Sequence, residues 1–136
     1  MADFTSEVKT IPHSAEKVFD MLSDLSNLER LKSQIPQDKI SDFAFDRDTC
    51  SFTVSPVGQI EFKIIEREPN KTIKLMSTNS PVHLQMWIQL REVAGDDTRM
   101  KMTVRAELNA FLKPMVSKPI QEAVDRISEV IAQLPY

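Results

Sequence analysis

From Lys39 to Leu108 apolar residues recur at every second position, and beyond that stretch the period becomes 3.6. This switch constrains the chain more than any other feature. Sustained alternation places residues in strands with one buried face, and a helical stripe must find a surface to cover. Phe43 and Phe45 alternate in one strand, and Cys50, Phe52 and Val54 in the next, with Asp46-Arg47-Asp48 as the turn. Ile60, Phe62 and Ile64 follow, then the turn Pro69-Asn70, then Ile73 and Leu75. Leu84, Met86, Ile88 and Leu90 alternate with His83, Gln85, Trp87 and Gln89. The last strand sets Met100, Met102, Val104, Ala106 and Leu108 against Arg99, Lys101, Thr103, Arg105 and Glu107. Six such strands in succession predict an antiparallel sheet with one buried face and one wet face.

The phase also predicts register. Pairing Leu90 with Met100 centres the last hairpin on Gly95 and requires an odd loop, of three or five residues. Pairing Ile64 with Leu75 centres the earlier one on Pro69-Asn70 and requires an even, two-residue loop. A β-bulge in either hairpin would shift the count by one.

Helical signals flank the alternating region. Residues 4–11 read as a first strand ended by Pro12, and Ser14 is placed to cap a helix carrying Val18, Phe19, Leu22 and Leu25, with Glu16 in its first turn. Ser26-Asn27-Leu28-Glu29 has the form of a capping box and predicts a second short helix, with Leu28, Leu31 and Ile35 on one stripe before Pro36. A long amphipathic helix is expected from Asn109–Leu112 to about Gln133. Leu112, Val116, Ile120, Ala123, Val124, Ile127, Ile131 and Leu134 form its stripe, with Met115 and Val130 beside it. Lys113, Lys118, Glu122, Arg126 and Glu129 take the other side, and Pro119 should kink or divide the helix.

With 136 residues the chain has the length of one domain. Cys50, the lone cysteine, has no partner for an internal disulfide and no Cys/His spacing for zinc. The N-terminus lacks the basic and apolar regions of a signal peptide, and no apolar run approaches the ~18 residues of a membrane span, so a cytoplasmic location is expected. The net charge of −3, with lysine and arginine spread along the chain, argues against a dedicated nucleic-acid domain.

The order of strand, two short helices, six antiparallel strands and long C-terminal helix resembles the helix-grip fold of the START-related SRPBCC superfamily. The local match is Val8-x-x-Ile11-Pro12-x-Ser14-Ala15-Glu16-x-Val18-Phe19-x-x-Leu22-x-Asp24, which looks like that family's opening strand and helix. It implies an α+β fold with a curved seven-stranded antiparallel sheet, two short helices after the first strand and the last helix packed across the sheet. Phe19 stands where many relatives carry tryptophan, and the glycine-rich loop of the pollen-allergen-like members is absent. Members generally bind apolar molecules between sheet and last helix, and the resemblance implies that site here.

In that arrangement Phe62, Ile64, Leu75, Leu84, Met86, Ile88, Met100, Met102 and Val104 should face Met115, Val116, Ile120 and Val124. The same set would fill a packed core or line a cavity for a lipid-like molecule. Large side chains at nearly every inward position argue for a small pocket, and methionines can repack around ligands of varied shape. No cofactor or metal is expected. His13 falls at a strand–helix junction, and His83 opens a strand in the wet phase, seventy residues away. Cys50 alternates with buried phenylalanines and reads as a structural thiol. No acid or base is forced inward, so binding is favoured over catalysis. A cyclase- or dehydratase-type enzyme would need such a group from the loops Ser77–Val82 or Ser55–Gly58. A third reading is an interaction module, for a protein partner or a second copy, using the outward residues Ile65, Met76 and Trp87.

Overall fold

The computed structural model describes residues 2–33 (backbone alone over 30–33), 40–55, 57–80, 82–134 and 136. Strands β1 (Ala2–Thr5) and β2 (Lys9–Ile11) precede helix α1 (Ala15–Leu22) and a 3-10 helix (Leu25–Ser33). Six strands follow: β3 (Ile40–Phe45), β4 (Thr49–Val54), β5 (Gly58–Glu68), β6 (Thr72–Asn79), β7 (Leu84–Ala94) and β8 (Asp97–Ala106). Helix α2 (Lys113–Ala132) ends the fold. All pairings are antiparallel, in the order β1-β8-β7-β6-β5-β4-β3, and β2 shares the edge position with β1 by also pairing with β8. The result is the seven-position curled sheet with a long C-terminal helix that the alternation and final stripe predict.

The expected first strand is broken in two. Ser6 bridges the break: its N–H donates to the Met102 carbonyl at 2.8 Å, and its Oγ accepts from the Met102 N–H at 2.9 Å. A side-chain oxygen thus replaces a ladder carbonyl, and Val8 is turned out to 60% exposure.

Both hairpin registers hold, and both loop lengths differ from expectation for one reason. Ile64 pairs with Leu75, but a bulge between Ile64 and Glu66 adds a residue, so the loop is Pro69-Asn70-Lys71 with Asn70 at φ 62°. Leu90 pairs with Met100, but a bulge between Glu92 and Ala94 shortens the loop to Gly95-Asp96. The extra residues, Ile65 and Val93, are left 48% and 49% exposed.

Ser14 caps α1 as expected, accepting from the Lys17 N–H at 3.3 Å. Glu92 Oε1 on β7 accepts from the Ala15 N–H at 3.1 Å, so the sheet supplies a second cap. The second helix is 3-10 and begins at Leu25, one residue before the expected Ser26. Asp24 precedes it, and its Oδ1 accepts from both the N–H and Oγ of Ser26, at 3.0 and 2.5 Å, an Asx turn at the helix start. Leu28 is buried, whereas Ile35 and the side chain of Leu31 lie outside the described residues.

Helix α2 is a single element that runs through Pro119 rather than dividing there. It begins beyond Asn109, whose Oδ1 accepts from the N–H groups of Phe111 and Leu112 at 3.0 and 2.8 Å. Val116, Ile120, Ala123, Val124, Ile127, Val130, Ile131 and Leu134 are all buried, as the stripe predicts. Met115 is not: it is 53% exposed, because the stripe turns away from it at this end of the helix. Each buried valine, isoleucine and leucine of this face favours the grip of helix on sheet by about 1.5–3 kcal/mol, and Ala123 by less. The inward residues of β4 to β8 form the other half of one continuous core.

Candidate functional site

Among the described residues, two small voids lie in the core between sheet and α2. The first, 30 Å³, is bounded by Phe52, Val54, Ile60, Phe62, Leu84, Met86, Met102, Val104, Ile120, Ala123, Val124 and Ile127. The second, 40 Å³, is bounded by Leu25, Leu28, Phe43, Phe45, Cys50, Phe52, Leu75, Met86, Ile88, Met102, Ile127 and Ile131. Four residues belong to both linings: Phe52, Met86, Met102 and Ile127. They form the wall between the voids, and two of them are methionines.

Each void has room for only about two to four water molecules, at ~10–15 Å³ each, and its lining supplies no oxygen or nitrogen side chain to hold water. A drug-sized ligand fills roughly 300–1,000 Å³. Occupancy of this interior by such a ligand therefore requires the dividing wall to move. Methionine is suited to that, since its unbranched thioether adopts several rotamers at low cost.

Most sequence-expected residues meet here. Phe62, Leu84, Met86, Met102, Val104, Ile120 and Val124 line the first void, and Leu75 and Ile88 join the second. Ile64, Met100 and Val116 are buried but touch neither, while exposed Met115 faces away. Sequence reasoning left out the aromatic wall, Phe43, Phe45 and Phe52, the helix residues Ala123, Ile127 and Ile131, and the smaller contributions of Leu25, Leu28, Cys50, Val54 and Ile60. Their signal was present, in the alternation and in the i, i+4 stripe. Nothing local showed that the curl brings β3 and β4 over the same stretch of α2.

No acid or base reaches either void among the described residues. Cys50 is the lone titratable group in the linings, and burial, reinforced by the nearby Glu61 charge, pushes its thiol up to about 12. At neutral pH it is a thiol, not a thiolate nucleophile. His83 is exposed. His13 is half-buried rather than solvated, its ring 5.8 Å from that of Tyr136. The Tyr136 hydroxyl donates to the Ile131 carbonyl at 2.6 Å, and burial raises its pKa. Among the described residues no three histidine, cysteine or carboxylate side chains gather as a metal site. Among the described residues no helix is long and apolar enough to cross a membrane.

On the wet face Trp87 is half-buried between two cations. Lys74 Nζ and Arg105 Cζ each lie 5.4 Å from its ring centroid, and Arg105 is held in turn by Asp3 at 2.8 Å. The hydrogen bond from Arg105 lowers the Asp3 pKa. Met76 is half-buried and Ile65 is exposed at its bulge.

The family described as "Polyketide cyclase / dehydrase and lipid transport" matches residues 1–132. The chain belongs to that family. Its fold also recurs in solved structures at low identity. A START superfamily protein from Mycobacterium smegmatis superposes with a TM-score of 0.71 at 13% identity, covering 96% of this chain and 94% of that one. Norcoclaurine synthase from Thalictrum flavum, in complex with dopamine and hydroxybenzaldehyde, gives 0.71 at 13% identity over 97% of this chain and 84% of its own. A conserved protein from Geobacillus kaustophilus gives 0.68 at 15% identity, covering 97% and 93%. No curated protein sequence matches the chain. At these identities the likeness establishes the helix-grip fold, and the family's division into cyclases and lipid carriers leaves the chemistry to the residues of this chain.

Proposed function

We propose that this family member binds a small hydrophobic molecule, non-covalently and without a cofactor, between the sheet and α2. The observation that carries the reading is the pair of apolar voids separated by Met86 and Met102. Rotation of the two thioethers, with Phe52 and Ile127 giving way beside them, would merge them into one elongated pocket bounded by the 3-10 helix, β3 to β8 and α2. An enzyme of the cyclase or dehydratase type would need an acid or base on that wall, and the described lining offers only a protonated thiol. The same reading takes the chain as one cytoplasmic domain.

Titration with the neutral fluorophore Nile red tests it, alongside native mass spectrometry of the purified protein and organic extraction of any bound molecule. Ala123→Phe places a ring in the first void and should weaken Nile red binding at least about tenfold, a change of ~1.4 kcal/mol. Met115→Ala, on the exposed side of α2, should leave binding unchanged. Equal binding by wild type and Ala123→Phe would refute an interior site.

A further inference from the structure

We propose that the outward face of β7 and β8 carries a second site, for a small anionic amphiphile. Its carboxylate would be held by Arg91 and Lys101, and its short apolar chain would lie on Val8 and Val93. The site lies on the opposite face of the sheet from the interior voids and does not depend on them.

The first observation is electrostatic. Arg91 and Arg99 are direct register partners on the outward face, and Lys101 follows at the next outward position, opposite Gln89. Like charges directly across a strand pair are destabilising, so such a pair is expected to carry compensating anions. Arg99 has one: Asp97 lies 3.3 Å from its Nη2, and its Nη1 donates to Thr10 Oγ1. Arg91 and Lys101 form no ion pair with the described residues, and both are exposed. Two cations are thus left facing water in a chain whose net charge is −3.

The second observation is shape. A groove of 300 Å³ runs across these strands, and Arg91, Arg99, Lys101, Val8 and Val93 all line it. Its two valines reach it by different routes. Val8 is turned out by the break between β1 and β2, and Val93 shares the outward phase of Arg91 at the point where β7 bulges. They are 60% and 49% exposed. An irregular edge and an ordinary outward position therefore bring two apolar side chains into one cation-rimmed groove.

Chemistry then selects the ligand. The guanidinium fork of Arg91 matches a carboxylate in bidentate geometry, and Lys101 adds a mobile point charge. The valines give nothing to a free anion but shelter a few methylenes, each favoured by about 0.8 kcal/mol when buried. A neutral hydrophobe would gain the valines and forgo both charges. An alkyl carboxylate uses both halves of the groove.

The test is an NMR titration of the isotope-labelled full chain with octanoate, with octanol and with inorganic phosphate. Octanoate should move the amide signals of Val8, Arg91, Val93 and Lys101, with octanol and phosphate each at least about tenfold weaker. Arg91→Gln and Lys101→Gln should each weaken octanoate about tenfold, and Val93→Ser several-fold, with no lowering of the thermal midpoint because all three side chains are exposed and Arg91→Gln relieves its repulsion with Arg99. Octanol binding as tightly as octanoate would overturn the proposal, as would phosphate doing so. Octanoate shifts confined to interior residues such as Met86 and Ile127 would also overturn it while leaving the interior reading intact. Absence of any shift at these four amides would do the same.

Discussion

Ile127→Ala is the sharpest perturbation of the interior, because this side chain is buried, lies on the gripping face of α2 and bounds both voids. Removing its three outer carbons forfeits about 2.4 kcal/mol of transfer free energy, at roughly 0.8 kcal/mol per methylene-sized group. The space they leave joins voids of 30 and 40 Å³ that already resist collapse against the sheet. At about 24 cal/mol per Å³, each additional ~40 Å³ of unfilled volume costs about 1 kcal/mol more. Alanine's better helix propensity returns a few tenths. The expected loss is about 3–4 kcal/mol, within the ~2–5 kcal/mol seen for such truncations. Urea unfolding measures it: with a slope of roughly 1–3 kcal/mol/M, the midpoint should fall by more than about 1 M at unchanged slope. Met115→Ala, about three turns away in the exposed phase, should cost less than about 0.5 kcal/mol. A loss below about 1 kcal/mol at Ile127, or equal losses at the two positions, would refute the packing argument. The larger cavity should also take up apolar molecules more readily, so saturating Nile red should restore more stability to Ile127→Ala than to wild type.

Other expectations concern the surface, the thiol and the helix cap. Trp87→Ala removes both cation–π contacts, each worth roughly 0.5–1 kcal/mol at such sites, so thermal or urea unfolding should show a loss of about 1–2 kcal/mol; a change near zero would return Trp87 to the role of a partner-binding residue. Cys50 should resist alkylation in the folded protein at pH 8 and react fully once unfolded. Its folded pKa, about 12, lies above the ordinary value of 9.0. The stability it contributes is therefore complete below pH 9 and is lost as pH rises towards 12, which urea midpoints of wild type and Cys50→Ala across that window should show. Glu92→Ala leaves the Ala15 N–H without its β7 acceptor and should cost about 0.5–2 kcal/mol, with faster hydrogen exchange at the first turn of α1.

What the chain determined by itself was the set of elements and the face each one buries. Side-chain direction follows from the local backbone with a period of 2 or 3.6, so Phe62, Met86, Met102 and Ile127 could be assigned inward from their neighbours alone. The pairings Ile64 with Leu75 and Leu90 with Met100 were legible for the same reason. Tertiary structure decided everything that depends on how distant segments fit. The bulges at Ile65 and Val93 absorb single residues and change both loop parities without disturbing inward phase, which alternation cannot register. The curl of the sheet brought Phe43, Phe45 and Phe52 over α2, reduced the interior to two voids and set two methionines between them. It also gathered Val8, from the break between β1 and β2, with Arg91 and Val93 of β7 and Lys101 of β8 around one outer groove. Periodicity reports which side of an element is apolar; the volumes and charge clusters that bind ligands arise only where separate elements meet.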